Sequence, residues 1–495
     1  MANIGLVSPG VKVREVDLTV GRIDSISDQT GAICGPFSQG PVLEPILVEN
    51  EQELLSLFGK PISSDRQYEY WYTAANYLQY GGILRVGRID GANLKNANVG
   101  AVGVASTSTL KIKSYEDYKN NYESTSSYRL AARNPGSWAN GLKVAVIDGA
   151  ADQILTIGAG ATAHVSVGLA VTQATSSVVA GVGTTSINDG YLQGIITGIG
   201  VSTIDVKVLN RVSAAGTVFP VTYTEGGAYA FTVGTATSTG SLGVPGTAGL
   251  SISTDASTLA APATGLSTVA SVTTRDDWYN NQFIQLDNGQ VLWKSVAEKP
   301  GTSGNAAARN SENDQLHVVV IDDKGSISGN AGTILEKHAF LSKATDAVNS
   351  LGSQVYYKDY IADNSNYIFV GVSTGNGSIA SGIQTAFTAT STENVWGTKT
   401  QDVTFNVAGN QLYSLAAGKD YSGTNNEGGY TTTLGDVIGG YEIFENEAEY
   451  SVNFLLNGPG IPNDKQGSQA KANNCLLYTS PSPRDLSTSR MPSSA

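Results

Sequence analysis

The sequence predicts a multidomain protein of mixed α+β and α/β class, in which a discontinuous α/β domain carries an inserted β-rich region. At 495 residues the chain exceeds what one hydrophobic core usually supports. Helical and strand patterns alternate up to Ile89 and return near Trp278. Between these points Gly, Ser, Thr, Ala and Val prevail, with few charges and no helical periodicity, so short strands and turns are expected.

The charge and cysteine content limit the classes of function. The chain carries 43 acidic and 30 basic residues, a net charge of −13, and no Lys/Arg cluster, which argues against nucleic acid as a partner. Because no long apolar run and no signal-like N-terminus are found, we expect neither membrane insertion nor secretion. With only Cys34 and Cys475, no disulfide framework is predicted, and a reducing compartment fits.

The first twenty residues contain a short segment in which apolar and charged residues partly alternate. Val11–Asp17 has the pattern of a strand with one covered face. It lies at a terminus ahead of Gly21, where an arm that adds to another subunit's sheet would be placed. An edge strand within its own domain is the equally weighted alternative.

The N-terminal α/β signals are the clearest of the chain. A brief strand is predicted at Pro45–Val48, followed by a helix that Asn50 caps and Gly59 ends. A second helix is predicted at Tyr68–Tyr80, because its apolar residues recur with helical spacing. A further strand follows at Ile83–Val86. Strands and helices in this succession predict a compact α/β unit.

The later α/β signals begin with a strand at Leu142–Asp148. Leu316–Ile321 is an almost continuous apolar run, typical of a buried central strand. A turn is predicted at Asp322–Gly325, then a helix at Thr333–Val348. A last strand is predicted at Val452–Leu456.

These patterns predict that two distant segments of the chain form one α/β domain and that the β-rich region loops out between them. We expect the helix at Leu54–Phe58 or the one at Tyr68–Tyr80 to contact the strand at Leu316–Ile321. The predicted boundaries are 1–20 for an N-terminal arm, 21–96 and 300–450 for the α/β domain, 97–299 for the insertion, 451–474 for a C-terminal segment and 475–495 for a tail.

Candidate reactive residues are better explained by structure than by chemistry. The histidines His164, His317 and His338 are far apart and lack metal-ligand spacing, so core or surface positions are expected. Cys34 is expected to be a small buried residue. Asp322–Gly325 lacks the alternating oxygen ligands of a calcium loop, which favours a simple turn. We therefore assign no catalytic, cofactor-binding or metal-ligating residues.

Two other classes of protein stay open on the residues alone. A phage or bacterial surface adhesin would explain the β-rich, weakly charged middle, but it would not need the flanking α/β segments. A carbohydrate-active enzyme would need two carboxylates that converge in a cleft. Acidic residues are plentiful, but no such pair stands out in the sequence.

Several stretches, taken together, resemble the tail sheath proteins of contractile-tailed bacteriophages, especially myoviruses and cyanophage-like relatives. Their order and spacing along the chain carry the resemblance, which leaves out the glycine-rich middle. The stretches are Ser8–Val11, Gly40–Gly59 with the aromatic helix and strand up to Val86, Ala132–Leu142, Asn313–Asp322 and Gly329–Ala344.

The resemblance implies a structural, non-enzymatic subunit of the virion that self-assembles in the host cytoplasm. Such subunits stack in hexameric rings around the tail tube and contract to drive the tube through the host envelope for genome ejection. The implied partners are further copies of the chain, the tail tube protein, and the baseplate and tail terminator proteins. Cofactors, nucleic acid and membrane insertion are not implied.

The resemblance also implies a division of labour within the chain. Both chain ends would build an inner domain, the inserted β-rich domains would protrude outward, and terminal arms would link subunits by strand exchange. The arm is then the subunit interface and Gly21 its hinge. The candidate interface residues are Val11, Lys12, Val13, Arg14, Glu15 and Val16.

The last 21 residues do not resemble the rest of the chain. From Cys475 the sequence, rich in Ser and Pro, resembles an in-frame translation of a sequencing-library adapter. A natural disordered tail is the alternative. On the adapter interpretation, residues 475–495 are expected to take no part in the fold, and the C-terminal inner domain that begins at residues 451–474 is expected to be incomplete.

Overall fold

The computed structural model describes most of the chain outside the two ends and parts of the middle. The described residues are 30–100, 105–124, 127–156, 162, 165–174, 190–213, 217–220, 250–252, 278–371, 396–405, 411–446, 449–460 and 465–479. Within these ranges the protein is a mixed α/β structure with several sheets and few helices. No helix in them has the length and apolar character needed to span a bilayer.

The strands are numbered in chain order. They are β1 Thr30–Gly35, β2 Ile46–Val48, β3 Ile83–Arg88, β4 Asn98–Gly100, β5 Tyr128–Ala132, β6 Leu142–Ile147, β7 Gln153–Thr156, β8 Ala170–Ala174, β9 Gly190–Ile199, β10 Thr203–Ser213, β11 Val218–Pro220, β12 Leu250–Ile252, β13 Phe283–Leu286, β14 Gly289–Leu292, β15 Gln315–Asp322, β16 Thr333–Ser342, β17 Ile368–Val370, β18 Gln411–Ser414, β19 Ser422–Thr424, β20 Glu427–Gly429 and β21 Phe454–Leu456.

The helices are short. They are α1 Glu51–Phe58, α2 Gln67–Gln79, α3 Tyr115–Asp117 with a π-helical continuation to Tyr122, α4 Gly304–Ala307, α5 Tyr357–Asn364, α6 Leu434–Tyr441 and α7 Lys465–Thr479, with 3₁₀ turns at Ser64–Arg66, Ser137–Ala139, Trp278–Asn281, Trp293–Ser295 and Glu442–Glu445.

The chain forms two compact units whose boundaries differ from the predicted domains. Unit 1 comprises residues 1–37, 43–90 and 432–495, and unit 2 comprises residues 38–42 and 91–431. The helices α1 and α2 belong to the core of unit 1, whereas β15 belongs to the core of unit 2. The reason is strand pairing: β15 pairs with β6, which lies inside the segment that was expected to loop out.

Unit 1 contains a four-stranded sheet in the order β2-β3-β1-β21. The strand β1 pairs in parallel with both β3 and β21, and β2 pairs antiparallel with β3. The predicted helices are confirmed. Asn50 caps α1 by accepting a hydrogen bond from the Glu53 backbone N–H at 2.9 Å, and Gly59 ends it at φ 81°. The indole Nε1 of Trp71, on α2, donates to the carbonyl of Gly59 at 2.9 Å.

The C-terminal elements complete unit 1. The thiol of Cys34, on β1, donates to the carbonyl of Gly440 on α6 at 3.0 Å. The ammonium of Lys471, on α7, is buried and donates to the Tyr70 hydroxyl and the Pro459 carbonyl, both at 3.0 Å. Residues 475–479, predicted to lie outside the fold, continue α7, and residues 480–495 are outside the described ranges.

Unit 2 is organised around an antiparallel sheet in the order β16-β15-β6-β18. The prediction of a buried central strand is confirmed, because all but the first residue of β15 are buried. Its side chains alternate between two apolar cores: Val318 and Val320 face one, and Val319 and Ile321 face the other. The strand predicted at Leu142–Asp148 is confirmed as β6.

The predicted helix at Thr333–Val348 is wrong, because its first ten residues form strand β16. This strand pairs antiparallel with β15 from Thr333 to Ser342, with two register shifts. The irregular ladder places Phe340 at φ 54° and leaves it 40% exposed, while the neighbouring Leu341 is buried. Bulges of this kind break the strict alternation of a strand, so apolar spacing alone imitated a helix.

The β-rich middle of unit 2 is confirmed where the structure describes it. A six-stranded sheet has the path β11-β10-β9-β8-β12, with β7 paired to β10. A three-stranded sheet, β17-β5-β4, belongs to the same unit. Apolar side chains of β8, β9 and β10 join the two cores that flank β15.

Candidate functional site

The residues predicted to form the subunit interface, from Val11 to Val16, and the predicted hinge Gly21 lie outside the described residues. His164 lies outside them as well. Their roles therefore stay predictions. The other candidate residues can be placed, and each is held by contacts within its own unit.

His317 is a core histidine of unit 2. Its Nε2–H donates to the carbonyl of Glu298 at 2.7 Å, and its Nδ1 accepts the backbone N–H of Phe340 at 2.9 Å. This arrangement fixes the Nε2–H tautomer, because Nδ1 must carry the lone pair. Burial lowers the pKa of His317 below its ordinary value. The neutral ring ties β15 to the irregular part of β16.

Acidification is expected to destabilise unit 2 through His317. Below the unfolded pKa of about 6.5 the unfolded chain binds a proton that the folded ring resists, so stability falls as pH falls through this window. His317→Gln should remove this dependence, at a cost of about 1–3 kcal/mol near neutral pH. Chemical denaturation at a series of pH values measures both, and equal pH slopes for parent and variant would contradict the assignment.

Two other candidate residues also have structural roles. The Nε2 of His338 lies 3.0 Å from the Glu336 carboxylate. The carboxylate of Asp322 accepts the backbone N–H groups of Ser326, Ile327 and Ser328 at 2.8–3.0 Å, which closes the predicted turn. No cluster of three or more His, Cys, Asp or Glu residues with metal-binding geometry occurs in the described ranges.

A cavity of about 510 Å³ opens in unit 2 beside the aromatic residues Trp278 and Tyr279. Glu298 supplies the one carboxylate among its lining residues, and Lys299 is the neighbouring cation. The lysine ammonium lies 5.6 Å from the centre of the Trp278 ring. This lining differs from the pair of facing carboxylates that glycoside hydrolysis requires.

The most unusual feature of unit 2 is a set of buried ion pairs, hereafter the buried charge cluster: Asp148, Asp152, Lys207, Asp314 and Lys343. The ammonium of Lys207 contacts the Asp152 carboxylate at 2.7 Å and the Asp148 carbonyl at 2.7 Å. Both side chains of this pair have 0% exposure. Burial raises the pKa of Asp152 to about 6, because desolvation outweighs the attraction of Lys207.

The second pair of the cluster joins Lys343 to Asp148. Their Nζ and Oδ2 atoms are 2.7 Å apart, and the side chains are 0% and 1% exposed. Lys343 also donates to the carbonyl of Asn313 at 2.7 Å. The carboxylate of Asp314 is held by the Ser342 hydroxyl and the Ser303 N–H. Sequence analysis missed this cluster, although Lys207 between Val206 and Val208 was a detectable signal.

The stretch Ala132–Leu142, which contributed to the family resemblance, forms a clamp within unit 2. The Asn140 side chain exchanges two hydrogen bonds with the backbone of Gly418, at 2.8 and 3.0 Å. The Asp420 carboxylate accepts the backbone N–H and the hydroxyl of Ser137. A side chain at Gly418 would lie 2.3 Å from the Gly136 carbonyl, so only glycine fits there. The motif is therefore explained by packing.

Comparison with known proteins identifies phage tail sheath proteins as relatives. The chain is 24% identical to the tail sheath protein of Salmonella phage ViI over 371 residues, 73% of this chain and 49% of that protein. It is 35% identical to the tail sheath protein of Enterobacteria phage T4 over 94 residues, 19% of this chain and 14% of that protein. The Vibrio phage KVP40 tail sheath protein is 34% identical over 93 residues, 19% of this chain and 13% of that protein.

The chain therefore spans about half or less of each curated relative's length. No family model matches it. Two solved sheath tail proteins were also found, from Listeria innocua at 12% identity, covering 40% of this chain and 31% of that one with a TM-score of 0.15, and from Desulfitobacterium hafniense at 13%, covering 46% and 37% with a TM-score of 0.16. TM-scores this low define no shared fold.

Proposed function

We propose that this chain is a structural subunit of a contractile phage tail sheath, which stacks in hexameric rings around the tail tube and contracts to drive the tube through the host envelope. The observation that carries the proposal is the match to the phage ViI tail sheath protein along 73% of the chain. The proposal includes the tail tube, baseplate and tail terminator proteins as partners. It also includes assembly of the sheath in the host cytoplasm.

The organisation of unit 1 supports this proposal. An inner sheath domain is expected to contain both ends of the chain, and in unit 1 the strand β21 pairs in parallel with β1. The two partners are more than 400 residues apart, as in the contact of Thr30 N–H with the Asn453 side chain. Unit 2 contains the β-rich segment 97–299, which the resemblance implies protrudes outward.

Immunogold electron microscopy tests the location. Antibodies raised against unit 2 are expected to label the tails of particles of the phage that carries this gene, along the whole tail. Label confined to the capsid, to the fibres or to the infected cell surface would contradict the proposal. The fibre pattern would support an adhesin instead.

The arm is expected to link subunits by strand addition, with Gly21 as the hinge. A sheath holds a long-lived extended state above a more stable contracted one, so its links must survive large movements. Val13→Pro should therefore weaken assembly, because proline removes a backbone donor from the added strand. When Val13→Pro is introduced into a full-length version of the subunit, we expect few or no tubes by negative-stain microscopy. The circular dichroism spectrum of the monomer should be unchanged.

Val13→Ala is the matched control, since it shortens the same side chain and keeps the N–H. It is expected to assemble nearly as the parent does. If the proline variant forms tubes as readily as the parent, the strand-addition hypothesis is wrong. That result would leave the immunogold test of the proposed function unaffected.

A further inference from the structure

We propose that Lys343 and Asp148 are joined by an amide bond that the folded chain forms itself, so that the buried charge cluster is an internal cross-linking site. The Lys343 Nζ lies 2.7 Å from the Asp148 Oδ2, the distance of a direct charge-assisted hydrogen bond, so the two reacting groups are already in contact. Both side chains are almost completely excluded from solvent. The proposal does not depend on the proposed function.

The surroundings of the pair hold its atoms in place for a reaction. Asn313 fixes the lysine through its carbonyl, and the Trp396 ring centre lies 5.3 Å from the ammonium. The backbone N–H of Ala150 donates to the other carboxylate oxygen of Asp148, Oδ1, at 3.1 Å. A donor at this position stabilises the negative charge that develops on a carbonyl oxygen under attack. Nucleophile, electrophile and oxyanion donor therefore converge at one buried point.

The neutral amine that the reaction needs is favoured by burial of Lys343. Desolvation lowers the pKa of Lys343 and outweighs the attraction of Asp148 and Asp314, which raises it, and the nearby Lys207 adds to the lowering. Transfer of one proton along the Nζ–Oδ2 hydrogen bond converts the ion pair into a neutral amine and a neutral carboxylic acid. A neutral pair needs less solvation than an ion pair, so a dry interior favours this exchange.

The bond-forming step then balances without any further reactant. The lone pair of the Lys343 nitrogen attacks Cγ of Asp148, and the carbonyl electrons move to Oδ1. Collapse of this intermediate expels Oδ2, which has already received one lysine proton and takes a second from the nitrogen as it leaves. The products are an amide, with one N–H, and one water molecule.

The position of the link gives it a mechanical consequence. Asp148 directly follows β6, and Lys343 directly follows β16, the two strands that flank β15. An amide between them closes a covalent bridge over the end of β15. Hydrogen bonds between strands break one after another under load, whereas this bridge keeps together the two strands that flank β15. The sheet of unit 2 would therefore resist separation by force at that end.

Mass spectrometry of the full chain under denaturing conditions tests the proposal. We expect an intact mass lower than the sequence mass by one water, and a branched tryptic peptide that joins the segments of Lys343 and Asp148. The variant Lys343→Met lacks the amine, so its measured mass should equal the mass calculated from its own sequence, without loss of water. A parent with the full sequence mass overturns the proposal, even if every variant fails to fold.

A second source of water loss must be separated from the bridge. Asp148 precedes Gly149, and an Asp-Gly sequence can lose water by cyclising to a succinimide within its own backbone. A succinimide reopens in mild alkali and joins no second peptide, whereas the amide bridge persists and gives the branched peptide. Water loss without a branched peptide, or a branch that maps to Lys207 and Asp152, would overturn the assignment.

Discussion

Replacing Lys207 with methionine is expected to destabilise unit 2 by about 3–5 kcal/mol, because the Asp152 carboxylate is then left buried without its counter-ion. Methionine matches the lysine stem in length, so little packing is lost and the effect reports the charge. The pKa of Asp152 is already raised by burial, and without Lys207 nothing of comparable strength opposes that rise. Urea denaturation followed by unit-specific hydrogen exchange measures the loss.

The sign of the pH dependence follows from the raised pKa of Asp152. An acid with a folded pKa above its unfolded value stabilises the fold below the unfolded pKa and loses that contribution as pH rises through the folded one. The cost of Lys207→Met should therefore be smaller at about pH 5 than at about pH 8. Adding Asp152→Asn is the matched control, since the amide oxygen can still accept the Val208 N–H, and it should recover most of the loss. A double variant as unstable as the single one would show that packing, not charge, is responsible.

Truncating Trp71 to alanine is expected to destabilise unit 1 by about 3–5 kcal/mol. The ring is 3% exposed and belongs to the core that α1 and α2 share with the sheet. Its Nε1–H also donates a hydrogen bond to the carbonyl of Gly59 at the end of α1. Removing the side chain therefore creates a cavity and leaves that carbonyl without its donor. Amide exchange in β1 and β3 should accelerate by roughly a hundredfold or more.

The control for this prediction is Trp71→Phe, which keeps much of the apolar volume and removes the hydrogen bond. It is expected to cost about 1–3 kcal/mol. Amides of β15 in unit 2 serve as the internal reference and should exchange at the parent rate. Accelerated exchange in both units would contradict their assignment to separate cores.

The elements that were predicted correctly are those whose signals are local. Asn50, Gly59 and the apolar residues between them define α1 without reference to the rest of the chain. The strand at Leu316–Ile321 could also be predicted, because a strand that is buried on both faces is apolar at nearly every position. Short-range chemistry decides such segments, so the sequence suffices.

The errors came from long-range pairing. The segment Thr333–Ser342 has helix-like apolar spacing, and only its bulged ladder with β15 makes it a strand. The two compact units differ from the predicted domains for the same reason, since the pairing of β6 with β15 joins residues that the change of composition had separated. Local composition and apolar spacing carry no information about which strands pair with each other.

The candidate site shows the same contrast. That His317 and Cys34 are structural could be predicted from their lack of suitable neighbours in the sequence. The buried charge cluster could not be predicted, because its partners lie up to 195 positions apart in the sequence. Each aspartate taken alone is typical of a turn. A lysine within an apolar strand, such as Lys207, was the one sequence signal that pointed to it.

The parallel pairing of β1 with β21 also sets the order in which the protein can fold during synthesis. Strand β1 leaves the ribosome early, but its neighbour at residues 454–456 is made hundreds of residues later. At bacterial rates of about 5–20 residues per second, this delay is roughly 20–85 s. Unit 2, which comprises residues 38–42 and 91–431, lies entirely within the intervening chain, so it can fold during translation. The apolar faces of α1, α2 and β3 must wait, and nascent chains of this protein should therefore be bound by chaperones through that N-terminal segment.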